Sequence, residues 1–234
     1  MRRIPRALGL NCGASPHLAI AILPTTVVHS NTLVVLLSHQ WASFAVVQSS
    51  VHELWSRLMA SSMKDDLRYT PSDCFETFPF PVDYEHNPAL EVAGREYCEF
   101  RASLMIRNKQ GLTKTYNRFH DPEDQSADFK KLRALHHAMD RAVLDAYGWP
   151  DIQPVPLHEV EFEEEPTDED DFSGAKKPKQ KYRLRWPEDI RDDVLARLLI
   201  LNEQRAAAEA LEPKPKRKKS NLALTPLFDL GDQE

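Results

Sequence analysis

The most informative stretch of this chain is RYTPSDCFETFPFP, residues 68–81. Pro79 and Pro81 each fix their own φ near about −65° and bias the residue before them toward extended backbone. The two Phe-Pro pairs therefore predict a stiff, polyproline-like strap, residues 76–81, that ends one structural unit and leads into the next. We expect Phe78 and Phe80 of this strap to pack against the segment that precedes it.

That preceding segment has the pattern of a short helix. Ser50 stands three residues before Glu53, as in a capping box, and apolar residues follow at helical spacing: Val51, Leu54, Trp55 and Leu58. A helix is predicted over about residues 51–62, with Trp55 buried against Phe78 and Phe80. Further upstream, Val-, Ile- and Thr-rich segments predict short antiparallel strands at residues 18–23, 25–29, 32–37 and 43–47.

Downstream of the strap, apolar residues recur every three or four positions in two stretches between residues 87 and 147. This pattern predicts an antiparallel helical hairpin whose loop spans residues 111–124. Tyr116 and Phe119 in that loop either plug the end of the hairpin or stack on nucleic-acid bases. The first interpretation is favoured because loop aromatics usually anchor loops.

The remainder of the chain is highly charged. An acidic run at residues 159–171 precedes a basic run at residues 176–185, which is typical of a flexible connector, and a new helix is predicted after Pro187. The fold class is therefore α+β, a small antiparallel sheet capped by a helix and followed by a helical hairpin, a charged linker and a terminal helix. The predicted units are 1–15, a non-matching N-terminal segment; 16–86, an α+β module; 87–150, the hairpin; 151–186, the charged flexible linker; and 187–234, the terminal helix with a basic tail.

Several motifs together give the chain a family resemblance. The strap, SVHELW at residues 50–55, GLTKTYNRFH at 111–120 and DAYGW at 145–149 resemble the C-terminal part of large adenine-specific DNA methyltransferases of restriction-modification and phage-defence systems, of the BREX and DISARM kind. The resemblance runs from about residue 16 to about residue 205 and covers the end of the target-recognition region and the helical tail. It implies a parent activity that transfers a methyl group from S-adenosylmethionine to adenine N6 at a specific DNA site.

The catalytic signatures of that family are missing from this sequence. None of the seven glycines stands in a strand-loop-helix setting that could cradle the cofactor, and no Asn-Pro-Pro or Asp-Pro-Pro tripeptide occurs. His52-Glu53 also lacks the second histidine of a zinc-binding HExxH motif. The chain is therefore interpreted as a C-terminal piece without catalytic residues, cofactor site or metal site. The alternative is a non-enzymatic module that docks on a separate methyltransferase or defence subunit.

Charge and cysteine usage limit the partners and the compartment. The formal net charge is −6, but residues 1–60 carry four arginines against the single Glu53. Cys12, Cys74 and Cys98 form no CxxC pair, which favours a reducing cytoplasm over a disulfide framework. The longest apolar run is far shorter than the roughly 20 residues of a membrane span. The expected partners are DNA and either the missing N-terminal methyltransferase domain or another defence subunit, with no membrane contact.

The candidate DNA contacts are polar residues in predicted loops and cations near the predicted helix. For base edges these are His29, Asn31, His39 and Gln40, and for phosphates they are Arg57, Lys64 and Arg68. The alternative for the three cations is a solvated face that Asp65 and Asp66 partly neutralise. The basic run at residues 214–219 is interpreted as a solubilising tail rather than a DNA contact.

The missing motifs give the first testable expectation. The purified chain should neither bind S-adenosylmethionine nor methylate DNA, because it lacks a glycine loop for the cofactor and a catalytic tetrapeptide. Isothermal titration calorimetry with the cofactor checks this. Saturable binding in the concentration range normal for methyltransferases would show that the interpretation is wrong.

Overall fold

A computed structural model describes residues 6–11, 15–60, 67–152, 161–165 and 181–211, with only the backbone described at 6, 11, 161–165 and 181. The described strands are β1 (Arg6–Asn11), β2 (Ala21–Pro24), β3 (Leu33–Leu36), β4 (Glu161–Glu165) and β5 (Lys181–Arg185). The described α-helices are α1 (Trp41–Gln48), α2 (Ser50–Met59), α3 (Pro88–Asn108), α4 (Leu112–Phe119), α5 (Ala127–Ala146) and α6 (Glu188–Leu211). The α+β class predicted from the sequence is confirmed.

The first three strands form one antiparallel sheet in the order β2-β1-β3. Leu8 in the central strand pairs with Ile22 on one side and with Leu36 on the other. Residues 1–15 were predicted to lie outside the module, yet β1 supplies the middle strand of the sheet. Ala7, Leu8 and Leu10 are buried there, so the sheet depends on this strand.

Two of the predicted strands are not strands. Residues 43–47 belong to α1, and residues 25–29 form a turn and irregular backbone between β2 and β3. The strand prediction for residues 43–47 failed because every residue of α1 from Ala42 to Gln48 is buried. A helix that is enclosed on all sides has no polar face, so its sequence shows no helical period and its Val and Phe residues favour a strand assignment.

Helix α2 and the strap pack as the sequence indicates, with one change at the cap. Ser49 rather than Ser50 caps α2, since its hydroxyl accepts a hydrogen bond from the His52 backbone N–H at 3.3 Å. Trp55 is fully buried, its ring centroid lies 6.2 Å from that of Phe78, and Phe78 lies 4.9 Å from Phe80 in an edge-to-face contact. The predicted packing of these three aromatic residues is confirmed.

The helical hairpin consists of α3 and α5, with α4 in the connection between them. Tyr116 and Phe119 of α4 are each only 3% exposed, which confirms that they plug the end of the hairpin. Arg133 of α5 closes the same end by donating hydrogen bonds to carbonyl oxygens of the connection, those of Arg118, Phe119, Asp121 and Asp124. Among the described residues, no helix is long and apolar enough to cross a membrane.

The segment interpreted as a charged linker contains secondary structure. The acidic strand β4 pairs in antiparallel fashion with the basic strand β5, from Glu161 opposite Arg185 to Glu165 opposite Lys181. Helix α6 then returns to the strap, where Asn202 donates to the Thr77 carbonyl and Arg205 to the Phe80 carbonyl, each at 2.5 Å. A flexible connector was predicted here, whereas the structure pairs β4 with β5.

The close approach of α1 and α3 at Gly94 gives a stability test. A Cβ atom at this position would lie 2.2 Å from the carbonyl oxygen of Trp41 and 3.1 Å from the Cβ of Ala45. Gly94→Ala should therefore destabilise the fold by about 1–3 kcal/mol, as overpacking does. Chemical denaturation monitored by circular dichroism measures this free energy of unfolding.

Gly111→Ala is the matched control. Nothing lies within 4 Å of a Cβ built there, and its φ of −81° suits any residue. Replacing this N-cap glycine loses a favoured cap residue, which lowers stability, but it also reduces the entropy of the unfolded chain, which raises stability. Each effect is about 1 kcal/mol or less, so the net change in the free energy of unfolding should be small. Equal losses from the two variants would mean that α1 and α3 are not packed through Gly94.

Candidate nucleic-acid interface

Three of the predicted base-contacting residues lie at one end of the sheet. Pro24 at the end of β2 pairs with Arg6, and Leu36 at the end of β3 pairs with Leu8, so both strands end where β1 begins. The imidazole Nε2 of His29 lies 3.1 Å from the Pro24 carbonyl oxygen at this end. His39 and Gln40 follow β3 after this same end.

Asn31 lies toward the opposite end of the sheet. It stands two residues before Leu33, which pairs with Asn11 at the end of β1. The connection formed by residues 25–32 therefore runs the length of β1, about 17 Å at ~3.4 Å per residue. Much of this connection is exposed, and the Val28 side chain is entirely so. The connection can thus present its side chains along one extended line.

The four predicted residues differ in how far they are engaged within the protein. The Gln40 side-chain amide donates to the Glu85 carbonyl oxygen at 3.1 Å, which attaches it to the turn at Tyr84–His86. Asn31 accepts a hydrogen bond from the Ser30 hydroxyl at 3.4 Å, and both Asn31 and His39 are exposed. A DNA contact by Gln40 would have to use its amide oxygen or replace the bond to Glu85.

The two described phosphate candidates lie beside the segment at residues 15 and 16. The Arg57 side chain is 21% exposed, and its guanidinium donates to Glu53 at 2.9 Å and to the Pro16 carbonyl at 3.1 Å. Arg68 is exposed and follows Leu67, which is paired to Ser15 by two backbone hydrogen bonds of 3.1 and 2.9 Å. Arg57 is thus partly committed to the fold. Lys64 lies outside the described residues.

Beside Arg57, a cavity of about 370 Å³ opens between α2, β5 and the first turn of α6. Four arginines line it, together with Trp186 and three carboxylates: Arg57, Arg183, Arg185, Arg191, Glu53, Glu188 and Asp192. We call it the arginine cavity. Arg183 and Arg185 were not predicted as site residues because residues up to 186 were assigned to a flexible linker. Arg191 was assigned to a separate terminal helix, and only the fold brings these three arginines to α2.

Glu53 fixes two of these guanidinium groups. Burial favours the neutral acid, but Arg57 and Arg183 hold the pKa of the Glu53 carboxyl well below its usual value. Arg183 is 2% exposed, and it donates to the Pro16 carbonyl at 2.5 Å and to Glu53 at 3.4 Å. A charged Glu53 therefore anchors one wall of the cavity.

Strand β5 is attached to the helical body through His120. The Leu184 backbone N–H donates to Nδ1 of His120 at 3.1 Å, so this nitrogen must be unprotonated. Burial and the charge of Arg183 lower the pKa of His120 well below its usual value, in agreement with that role. Within the part of the chain that the structure describes, no group of three His, Cys, Asp or Glu side chains is arranged to hold a metal ion.

Comparison with protein-family models identifies the sheet and strap. The model of the MmeI target recognition domain matches residues 12–82, a range that holds β2, β3, α1, α2 and the strap. This part of the chain is similar to the MmeI target recognition domain. The resemblance predicted from the sequence, to the C-terminal part of large DNA methyltransferases, is confirmed.

Two longer proteins extend this similarity. DNA methyltransferase A of Bacillus subtilis (strain 168) is 26% identical over 124 residues, which are 50% of this chain and 12% of that protein. A solved structure of the type IIL restriction-modification enzyme MmeI in complex with DNA has the same fold over 88% of this chain, with a TM-score of 0.57 and 17% identity. The chain spans 22% of the MmeI chain, a small part of either relative.

The His120 contact predicts a pH dependence of stability. The folded state resists protonation of His120, whereas the unfolded state accepts a proton below about pH 6.5. The stability linked to His120 is therefore present above about pH 6.5 and decreases as the pH falls, by up to about 2 kcal/mol at pH 5. His120→Asn, whose amide oxygen can accept the Leu184 N–H, should remove this share of the pH dependence.

The measurement is urea denaturation of both proteins at pH 7 and pH 5. Comparison with the variant separates the contribution of His120 from those of other buried histidines. Burial lowers the pKa of His52 to about 3, whereas the neighbouring Asp140 raises the pKa of His136 despite its burial. We expect the variant to lose less stability than the wild type on acidification. Equal losses would contradict the assignment of a neutral, hydrogen-bond-accepting His120.

Proposed function

We propose that this chain contributes DNA sequence recognition to an MmeI-like restriction-modification methyltransferase. The observation that carries the proposal is the match of residues 12–82 to a target recognition domain. That range includes the exposed connection at residues 25–32 and the polar residues after β3. The proposal is further supported by the fold shared with MmeI, a protein whose solved structure is a complex with DNA.

The residues proposed for base contacts have suitable chemistry. Asn31 can form two hydrogen bonds to one edge of adenine, and His29 and His39 can donate or accept at base edges in the major groove. The line of the 25–32 connection, about 17 Å long at ~3.4 Å per residue, is similar to the length of a half-turn of DNA. Asn31 and the histidines near Pro24 would then contact different base pairs of one site.

Arg68, Lys64 and Arg57 are proposed to contact phosphates, which position a protein on DNA without reading its sequence. Arg68 is exposed beside the anchored Ser15–Leu67 pair, so its backbone is fixed while its guanidinium reaches solvent. Arg57, whose side chain is 21% exposed, is proposed to take part through that exposed portion. Phosphate contacts of this kind make binding strongly dependent on salt.

We place methyl transfer in another part of such an enzyme. The chain has no glycine loop for S-adenosylmethionine and no catalytic tetrapeptide, so adenine N6 methylation would need residues outside its sequence. A role in phage defence and a cytoplasmic location follow from the same proposal, since a restriction-modification enzyme acts on DNA inside the cell.

A docking module is the second candidate. Helix α6 exposes the apolar side chains of Leu199 and Ile200, 45% and 54% accessible, along the side away from its buried Val194 and Leu198. A separate methyltransferase or defence subunit could bind this side of α6. In that case the sheet and strap would have no intrinsic affinity for DNA.

Salt-dependent DNA binding distinguishes the two candidates. Binding of the chain to a random-sequence duplex should weaken steeply with salt, and Lys64→Gln with Arg68→Gln should lower the slope of log affinity against log salt by about two. Fluorescence anisotropy at several salt concentrations measures the slope. Arg95→Gln, at an exposed position on α3, is the matched control and should leave the slope unchanged.

Deletion of residues 214–219 should affect DNA binding differently under the DNA-recognition candidate and the docking candidate. If DNA binding is lost with this basic run while the Lys64 and Arg68 changes have no effect on the slope, the sheet and strap do not bind DNA. The docking candidate would then replace the proposed function. If the deletion lowers affinity only modestly, the basic run acts as a nonspecific tail.

A further inference from the structure

We infer that the arginine cavity is a phosphate-binding site. This inference rests on the proposed function, under which the phosphate belongs to the backbone of the bound DNA, beyond the bases that the connection at residues 25–32 contacts. A free phosphate or pyrophosphate would offer the same chemistry. Three features around Trp186 support the inference: the four arginines, the amino end of α6 and the volume of the cavity.

The cations of the cavity come from three separate elements, and two of them, Arg57 and Arg183, are held in place by Glu53 and the Pro16 carbonyl. Arg57 belongs to α2, Arg183 and Arg185 to β5, and Arg191 to α6. The Pro16 carbonyl accepts hydrogen bonds from both Arg57 and Arg183, at 3.1 and 2.5 Å. Side chains that are already held in place lose little conformational entropy when a ligand binds, so more of the attraction contributes to affinity.

The amino end of α6 adds to the positive potential. Its first turn reaches the cavity through Glu188, Arg191 and Asp192, and the Arg191 backbone N–H bonds to the Pro187 carbonyl at 3.0 Å. A helix amino terminus carries a partial positive charge and favours anions. Guanidinium groups bind phosphate oxygens with two parallel hydrogen bonds, which lysine cannot do.

The volume of the cavity fits a phosphate with part of its attached group. At about 370 Å³ it falls in the range of roughly 300–1,000 Å³ in which small ligands bind. Leu54, Leu184 and Trp186 supply an apolar wall beside the arginines. A sugar or base carbon surface could lie against this wall while the phosphate faces the cations.

The carboxylates of the cavity repel a phosphate. Substitutions in the cavity can therefore be chosen that raise phosphate affinity as well as ones that lower it. Glu53 is engaged by Arg57 and Arg183, so its charge is balanced within the protein. Glu188 and Asp192 are exposed in the first turn of α6. Because Asp192 would repel a phosphate, Asp192→Asn should strengthen phosphate binding, whereas Arg185→Gln and Arg191→Gln should weaken it.

The experiment compares these variants in DNA binding over a range of salt concentrations. Arg185→Gln and Arg191→Gln should each lower the slope of log affinity against log salt by about one, and Asp192→Asn should raise affinity severalfold at low salt. Arg95→Gln on α3 is the control for a cation elsewhere on the surface. Circular dichroism confirms that each variant is folded, and the nearly isosteric Asp192→Asn change, which removes one negative charge, tests the site without removing an arginine.

The outcomes separate this inference from the proposed function. If Arg68→Gln lowers the salt slope but the three cavity variants behave like the control, the cavity does not bind DNA phosphate and the inference is overturned, while the proposed function stands. If the wild-type chain does not bind a duplex, the proposed function fails. Titration with inorganic phosphate and pyrophosphate then decides the inference alone.

That titration uses the fluorescence of Trp186, with Trp186→Phe as the reference that identifies its signal. A saturable change that Arg191→Gln abolishes and Asp192→Asn strengthens would assign the cavity to free phosphate. A signal that is the same in all variants, or no signal at millimolar phosphate, would overturn the inference.

Discussion

The buried guanidinium of Arg101 joins the sheet to the helices. One Nη atom donates to the Ile20 carbonyl at 2.6 Å, and the other donates to Gln48 at 3.1 Å and to the Tyr116 hydroxyl at 2.8 Å. Gln48 in turn bonds to the backbone of Leu18 and Ile20. Because a buried charge is costly unless its hydrogen bonds are satisfied, these partners have to occupy one arrangement.

The short segment before β2 is the common support of the proposed DNA surface. Ser15 pairs with Leu67 beside Arg68, Pro16 accepts from Arg57 and Arg183, and His17 contacts Asn117 of α4 at 2.7 Å. Ile20, at its end, meets Arg101. The base-contacting connection, the exposed Arg68 and the arginine cavity are therefore attached to one backbone segment, and a change in its position would move all three.

Local patterns predicted the elements that are amphipathic or fixed by proline. The spacing around Trp55, the Phe78-Pro79 and Phe80-Pro81 pairs and the stripes of α3, α5 and α6 all follow from nearby residues. Non-local features were missed. The segment of β1 is short and gains its partners from residues farther along the chain, and α1 is enclosed and shows no period. The arginines of β5 reach α2 through contacts between residues far apart in sequence, such as those of Leu184 with His120 and of Arg183 with Glu53. For the candidate site, the sequence indicated Arg57 and Arg68 but not the cavity beside them.

Site-specific photo-cross-linking tests the central claim, that the connection at residues 25–32 and the end of β3 face DNA. A photoreactive phenylalanine analogue would replace Asn31, His39 or, as a control, the exposed Leu211 at the end of α6, and each protein would be irradiated with a random-sequence duplex. We expect cross-links from positions 31 and 39 that salt suppresses, with little cross-linking from position 211. Cross-links from position 211 alone, with none from the sheet positions, would contradict it.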